Sequence, residues 1–112
     1  MNKYTELSDF EINKKVAEYI LPAGDWYVIN KKTGNTVGCF GTGRFDPCNK
    51  YNDAMPIIIG YRISMYFVND NIGWAARDSN TDYGELECTD KNYCRAAMIL
   101  FLLMKDAENE KV

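Results

Sequence analysis

Histidine is absent from the 112 residues of this chain. With it go the commonest general base, the usual Cys–His and Ser–His nucleophile pairs, and most zinc sites. Cysteine occurs at 39, 48, 88 and 94, but no two have the C-x-x-C spacing of a metal knuckle or redox pair. Long hydrophobic runs are missing as well. The longest, Ala96 to Met104, falls far short of the ~20 residues that cross a bilayer, so no membrane role is expected. Lys and Arg are scattered rather than interleaved with aromatics, and the net charge is −3, so the electrostatic footprint of a nucleic-acid binder is lacking. The first ten residues are polar and acidic where a secretory signal would be basic and then apolar. A cytoplasmic location with reduced thiols is the resulting expectation.

What is present is the composition of an ordinary globular domain, 46% hydrophobic and 26% charged. One domain is expected over residues 1–106, followed by a charged tail, 107–112, that frays. The first helix is announced by Ser8 and Glu11, a capping box, with Leu7 and Ile12 placed as a hydrophobic staple. Ile12, Val16, Tyr19 and Ile20 recur at helical spacing until Pro22 and Gly24 end the run. Segments 26–30 and 36–40 predict a hairpin around Lys32-Thr33-Gly34-Asn35. Residues 41–49 read as a loop, and 52–59 as a short helix capped by Asn49 or Asn52, with Pro56 near its first turn or at a kink. A second hairpin is predicted from 62–68 and 72–77 around Asn69-Asp70-Asn71, then an acidic loop over 78–90. The last helix is expected to start at Thr89 or Asp90 and run to about Lys105. The predicted class is α+β: a three- or four-stranded antiparallel sheet packed with helices, in the order α-β-β-α-β-β-α.

That last helix is apolar all round. Beyond the stripe of Tyr93, Ala96, Ala97, Leu100, Leu103 and Met104, it carries Met98, Ile99, Phe101 and Leu102. Burial on every side is hard to arrange in so small a domain, which suggests a surface shared with a partner or a second copy. Met98, Ile99, Phe101 and Leu102 are therefore candidate interaction residues, joined by Tyr66 and Trp74 if the second hairpin turns them outward. Arg95, the sole charge within the apolar stretch, requires a carboxylate: Asp90 or Glu87 locally, or one on another chain. Asp46 and Asp53 flank the short helix and, with Arg95, form a candidate cleft; helix capping is the plainer reading of both aspartates. Gly41-Thr42-Gly43-Arg44 lacks the lysine and following helix of a phosphate loop and reads as ordinary loop glycine. Residues 78–84 alternate oxygen ligands as a calcium loop does. Their glycine comes one place late, and Thr89 stands where a bidentate Glu belongs, so a solvated loop is the stronger reading. The thiols read as small buried hydrophobes, Cys94 most clearly. No cofactor is expected.

Three blocks resemble a known family. They are Leu7-Ser8-Asp9-Phe10-Glu11-Ile12-Asn13; Phe45-Asp46-Pro47-Cys48-Asn49 with Asp53-Ala54-Met55-Pro56-Ile57-Ile58; and Cys94-Arg95-Ala96-Ala97-Met98-Ile99. In this order they are similar to the NinX family, small proteins of tailed bacteriophages and prophages with no established function. The short helix and terminal Cys-Arg-Ala-Ala helix are more distantly similar to a phage domain described as an ABA sandwich. Met55 departs from the Trp expected in the middle block, and residues 31–43 match less well, which leaves the first hairpin open. The resemblance implies a phage origin and an α+β sandwich, and carries over no catalytic residue. The expected role is a non-catalytic module that binds a host or phage protein, with self-association through the last helix. The alternative is a small-molecule or nucleotide sequestering protein whose oligomeric interface forms the pocket.

Overall fold

A computed structural model describes residues 2–41, 43–79 and 86–110. Helix α1 (Asp9–Ile20) begins at Ser8, whose hydroxyl accepts from the Glu11 N–H at 3.2 Å while the Glu11 carboxylate accepts from the Ser8 N–H at 3.4 Å. The capping box is thus complete, and the helix buries Ile12, Asn13, Val16 and Ala17. The first hairpin forms: β1 (Trp26–Ile29) pairs antiparallel with β2 (Thr36–Cys39). In it the Tyr27 ring lies over Gly38, its cross-strand partner, so closely that a Cβ at 38 would sit 2.6 Å from the ring. An aromatic ring laid on a facing glycine shields a backbone that has no side chain of its own.

The α+β class and the helix–sheet alternation hold, but the strands form two three-stranded antiparallel sheets in place of one. Each sheet gains a strand from a segment that reads as loop. β3 (Gly43–Phe45) extends the first to β1-β2-β3, and β6 (Glu87–Asp90) extends β4 (Ile63–Asn69) and β5 (Gly73–Asp78) to β4-β5-β6. Both added strands are short, so too few alternating residues mark them. Residues 80–85, the centre of the acidic segment and of the calcium-loop pattern, lie outside the described residues, as does Thr42 of the glycine loop. The β4–β5 turn is built on Asn69, whose side-chain oxygen accepts from the N–H groups of Asn71 and Ile72 at 2.9 and 2.8 Å.

Helix α2 (Tyr51–Gly60) begins after Lys50, which supplies no side-chain cap, and contains Pro56 past its first turn. Helix α3 (Tyr93–Glu110) starts later and ends later than expected. The Asn92 side chain accepts from the Arg95 N–H at 3.1 Å, as an N-cap does. At the far end, Asp106 accepts from the Tyr4 hydroxyl and Asn109 donates to the Tyr19 hydroxyl at 3.2 Å. Helix therefore persists from Ala107 to Glu110, within the segment expected to fray; residues 111–112 lie outside the described residues.

Helix α3 packs against α1, α2 and all three strands of the second sheet. This enclosure corrects the expectation of a surplus apolar surface. Met98, Ile99, Phe101 and Leu102 are each at most 1% exposed, so they form the centre of the core and offer no face to a partner. A small domain covers one helix on every side by laying a sheet and two helices around it.

The start of β5 is the tightest point of this frame. Gly73 has φ +94°, and a Cβ there would stand 2.5 Å from the Lys91 Cα and 2.7 Å from the Asp90 carbonyl oxygen. Gly24, at φ +91°, has open space around it. Gly73→Ala is expected to cost at least about 2 kcal/mol in urea unfolding, from backbone displacement added to left-handed strain, against about 1 kcal/mol for Gly24→Ala.

Candidate functional site

Asn13 interrupts the apolar face of α1 and is buried there. Its side-chain amide donates to Asp46 Oδ1 at 2.7 Å, and its oxygen accepts the Cys48 N–H at 3.0 Å. Asp46 is buried as well. Its carboxylate also accepts from Asn49 Nδ2 at 3.1 Å and pairs with Arg44 at 3.4 Å, and its own N–H donates to Asp53 Oδ2 at 2.9 Å. Its carbonyl accepts from the Asn49 and Lys50 N–H groups, turning the chain into α2. Asp46 and Asp53 are thus joined, but through a backbone amide, with the Asp53 carboxylate closing the turn that leads into its own helix.

Arg95 lies at the other end of the same network. Its guanidinium donates to Asp9 Oδ1 at 2.6 Å, to Asp90 Oδ2 at 3.1 Å, and to the carbonyl oxygens of Leu7 and Thr5 at 2.6 and 3.2 Å. Burial alone pulls its pKa down. The hydrogen bond to Asp9 and the charges of Asp90 and Asp9 more than offset this, and the net direction is up. Of the two local partners that the sequence offers, Asp90 takes the arginine, and Asp9 joins it from α1. Asn49 completes the link, donating to Asp9 Oδ2 at 3.0 Å and accepting from Asn92 at 3.2 Å. The three cleft candidates therefore share one network, but its polar atoms are already partnered. A cavity of about 150 Å³ beside it is lined by Asp9, Asn13, Asn35, Thr36, Arg44 and Asp46, among others.

The open site lies on the outer side of Asn49 and Asn92. A groove of about 440 Å³ is lined by these two, Tyr51, Trp74, Lys91, Tyr93 and Cys94. Its aromatic residues continue as a row. Tyr51 and Tyr93 have ring centroids 5.8 Å apart, Tyr93 and Trp74 meet edge to face at 4.9 Å, and Trp74 meets Phe67 at 5.4 Å. The ends of the row are the most open, Tyr51 at 61% and Phe67 at 52% exposed. Tyr66 and Trp74 do not form one surface. Trp74 pairs with Phe67 across the ladder, and Tyr66, one residue along, points to the opposite face, where its hydroxyl donates to Glu87 at 2.7 Å. Tyr51 and Tyr93 were missed as site residues because they come together only when the starts of α2 and α3 meet. Asn13 left a readable signal: a polar side chain on the buried face of an amphipathic helix.

All four cysteines are free. Burial pushes the Cys88 thiol up to about 12, with the Asp90 charge adding to the effect, and burial likewise raises Cys48 and Cys94. The Cys88 sulfur lies 3.0 Å from the Ala96 carbonyl oxygen, which accepts its S–H. Three of the thiols are therefore inert small hydrophobes; Cys39 is half-buried. Among the described residues no group of three or more Cys, Asp and Glu side chains is placed to hold a metal ion, and no helix is long and apolar enough to cross a membrane.

Fold and site together define a small α+β domain built on an enclosed apolar helix, with a filled polar network behind an open aromatic groove. A family model described as Bacteriophage P22, NinX, matches residues 3–105, and the chain belongs to that family of phage proteins. No curated protein and no solved structure matches it. Of the residues that converge in the network, Asp9, Asn13, Asp46, Cys48, Asn49, Asp53 and Arg95 lie within the blocks that carry the family resemblance, and Arg44, Asp90 and Asn92 lie outside them.

Arg95→Lys keeps the charge but loses the fork that reaches Asp9, Asp90 and two carbonyls. A loss of about 2 kcal/mol is expected in urea unfolding, against under about 1 kcal/mol for Asp9→Asn, because Asp9 is partly exposed. In the native protein only Cys39 should react promptly with a thiol reagent, and all four on denaturation. Above pH 9.0, the ordinary thiol value, the unfolded chain releases a proton that folded Cys88 keeps up to about 12. The native state then binds more protons, so stability falls as pH rises, by about 1.4 kcal/mol per unit for each such thiol. Urea midpoints between pH 8 and 11 should show this fall, and Cys88→Ala should make it shallower.

Proposed function

We propose that this chain is a non-catalytic protein-binding module of a bacteriophage, acting in the cytoplasm of the infected cell on a host or phage protein through the groove lined by Tyr51, Trp74 and Tyr93. The single observation that carries this reading is the aromatic row, whose ends stand open to solvent. Rigid aromatic side chains give large contact area for little lost side-chain entropy and dominate binding hot spots. Asn49 and Asn92 set the floor of the groove through bonds made to the protein itself, so the rings are held in place before any partner arrives. The absence of histidine, together with the structural use of Asp46 and Asp53, supports the non-catalytic reading. The acidic balance speaks against nucleic acid as the partner.

A second reading, capture of a small molecule or nucleotide, rests on the groove's volume, about 440 Å³, which is that of a small-ligand site. Capture experiments from bacterial and infected-cell lysates separate the two. The wild-type chain is expected to retain one stoichiometric protein that the Tyr51→Ser and Phe67→Ser variants, both still folded, release. A rise in melting temperature with one compound of a nucleotide panel, and no retained protein, would favour sequestration instead, by mass action on the native state.

A further inference from the structure

Strand β4 is the edge of its sheet. Among the described residues its one ladder is to β5, and Ser64 and residues 66–69 are exposed. The strand reads Ile63-Ser64-Met65-Tyr66-Phe67-Val68-Asn69, with no charge and no proline, two of the devices that keep an edge from pairing; a third, a bulge, falls only toward its end, between Phe67 and Asn69. The other edge strands are shorter: β1 and β6 have four residues and β3 has three, with Glu87 and Asp90 in β6 and Arg44 in β3. The charges of the β4 segment stand just beyond its two ends, Arg62 before and Asp70 after, each four residues from Tyr66. Both are exposed, and neither makes an ion pair among the described residues.

Opposite charges at equal distances from a central residue are what a strand needs to pair antiparallel with itself. A two-fold axis through Tyr66 sets Met65 against Phe67 of the second copy, and Ser64 against Val68. It also brings Arg62 of each copy beside Asp70 of the other, at both ends of the joint. Arg62 leaves the strand with φ +53°, and the irregularity between Phe67 and Asn69 displaces Asp70 by about one residue, some 3.4 Å, so the two meet through the reach of the arginine side chain and not in ladder register. A foreign strand would meet this charge placement only by chance; a second copy meets it by symmetry. We propose that β4 pairs with β4 of a second copy, joining the two sheets into one of six strands. Because the axis is normal to the sheet, both α3 helices cover the same face, and Tyr66 meets its counterpart on the other.

The test is the solution mass of the full chain by sedimentation equilibrium over a wide concentration range, with far-ultraviolet circular dichroism to check folding. The wild type is expected to reach twice 12.9 kDa. Arg62→Asp and Asp70→Arg each set like charges together at both ends and should weaken the dimer about tenfold or more. The double variant restores opposite charges and should return to near the wild-type constant. Tyr66→Lys, which places two ammonium groups on the axis, should leave a folded monomer. A wild type that stays monomeric at every concentration overturns the proposal. So does a dimer indifferent to the single reversals, or one that folded single variants lose and the double variant does not regain.

Discussion

The fold depends on the burial of one guanidinium. Helix α3 is apolar enough to be enclosed by a sheet and two helices, and Arg95 is the charge that must go in with it. An arginine left unpaired in such a place would cost several kcal/mol, so its position dictates what surrounds it. Asp90 comes from the end of β6, Asp9 from the first turn of α1, and the Leu7 and Thr5 carbonyls from the segment before it. Satisfying one side chain therefore docks the N-terminal segment, the second sheet and the central helix on one another. Asp46 does the same for the middle of the chain, gathering Asn13 from α1, Arg44 from β3, Asn49 from its own loop, and Asp53 from α2.

Asn49 and Asn92 connect these two centres, and this gives the groove its shape. Asn49 precedes α2 and Asn92 caps α3, so the hydrogen bond between them fixes the distance between two helix starts. Tyr51 and Tyr93 stand two and one residues further on, and their rings meet because the asparagines do. A surface of large aromatic side chains is thus held by polar contacts behind it. Such preorganisation lowers the entropy that a partner must overcome on binding.

Local signals were legible wherever a few neighbouring residues decide the structure. The capping box of α1, both hairpins and the helical nature of the last segment could be read, because each rests on contacts a few residues apart. The short strands β3 and β6 could not, since three or four residues carry little periodicity and their pairing depends on the strand beside them. The role of α3 was misjudged for a related reason. Apolarity on every side signals either enclosure or a partner, and the choice between them depends on how many elements wrap the helix. The network was half legible: Arg95 demands a carboxylate on electrostatic grounds alone, but Asp9, distant in sequence, is chosen by the fold.

The aromatic groove and the β4 edge meet in Phe67. It ends the aromatic row through Trp74, and its backbone belongs to the exposed strand. In the paired arrangement proposed for β4, the ladder partners of both copies keep the same faces, so the two grooves open on one side of a continuous sheet. Linked sites of this kind raise the apparent affinity for any partner that presents two copies of its epitope, without adding a contact to either groove. The effect holds only if the partner's spacing matches the span that six paired strands set. Strand neighbours lie about 4.8 Å apart, and that repeat makes the span a rigid one. Were the groove and the β4 pairing both to act as proposed, a modest interaction at each groove would suffice for selective capture of a two-fold or polymeric target, and single copies of the same epitope would be left unbound.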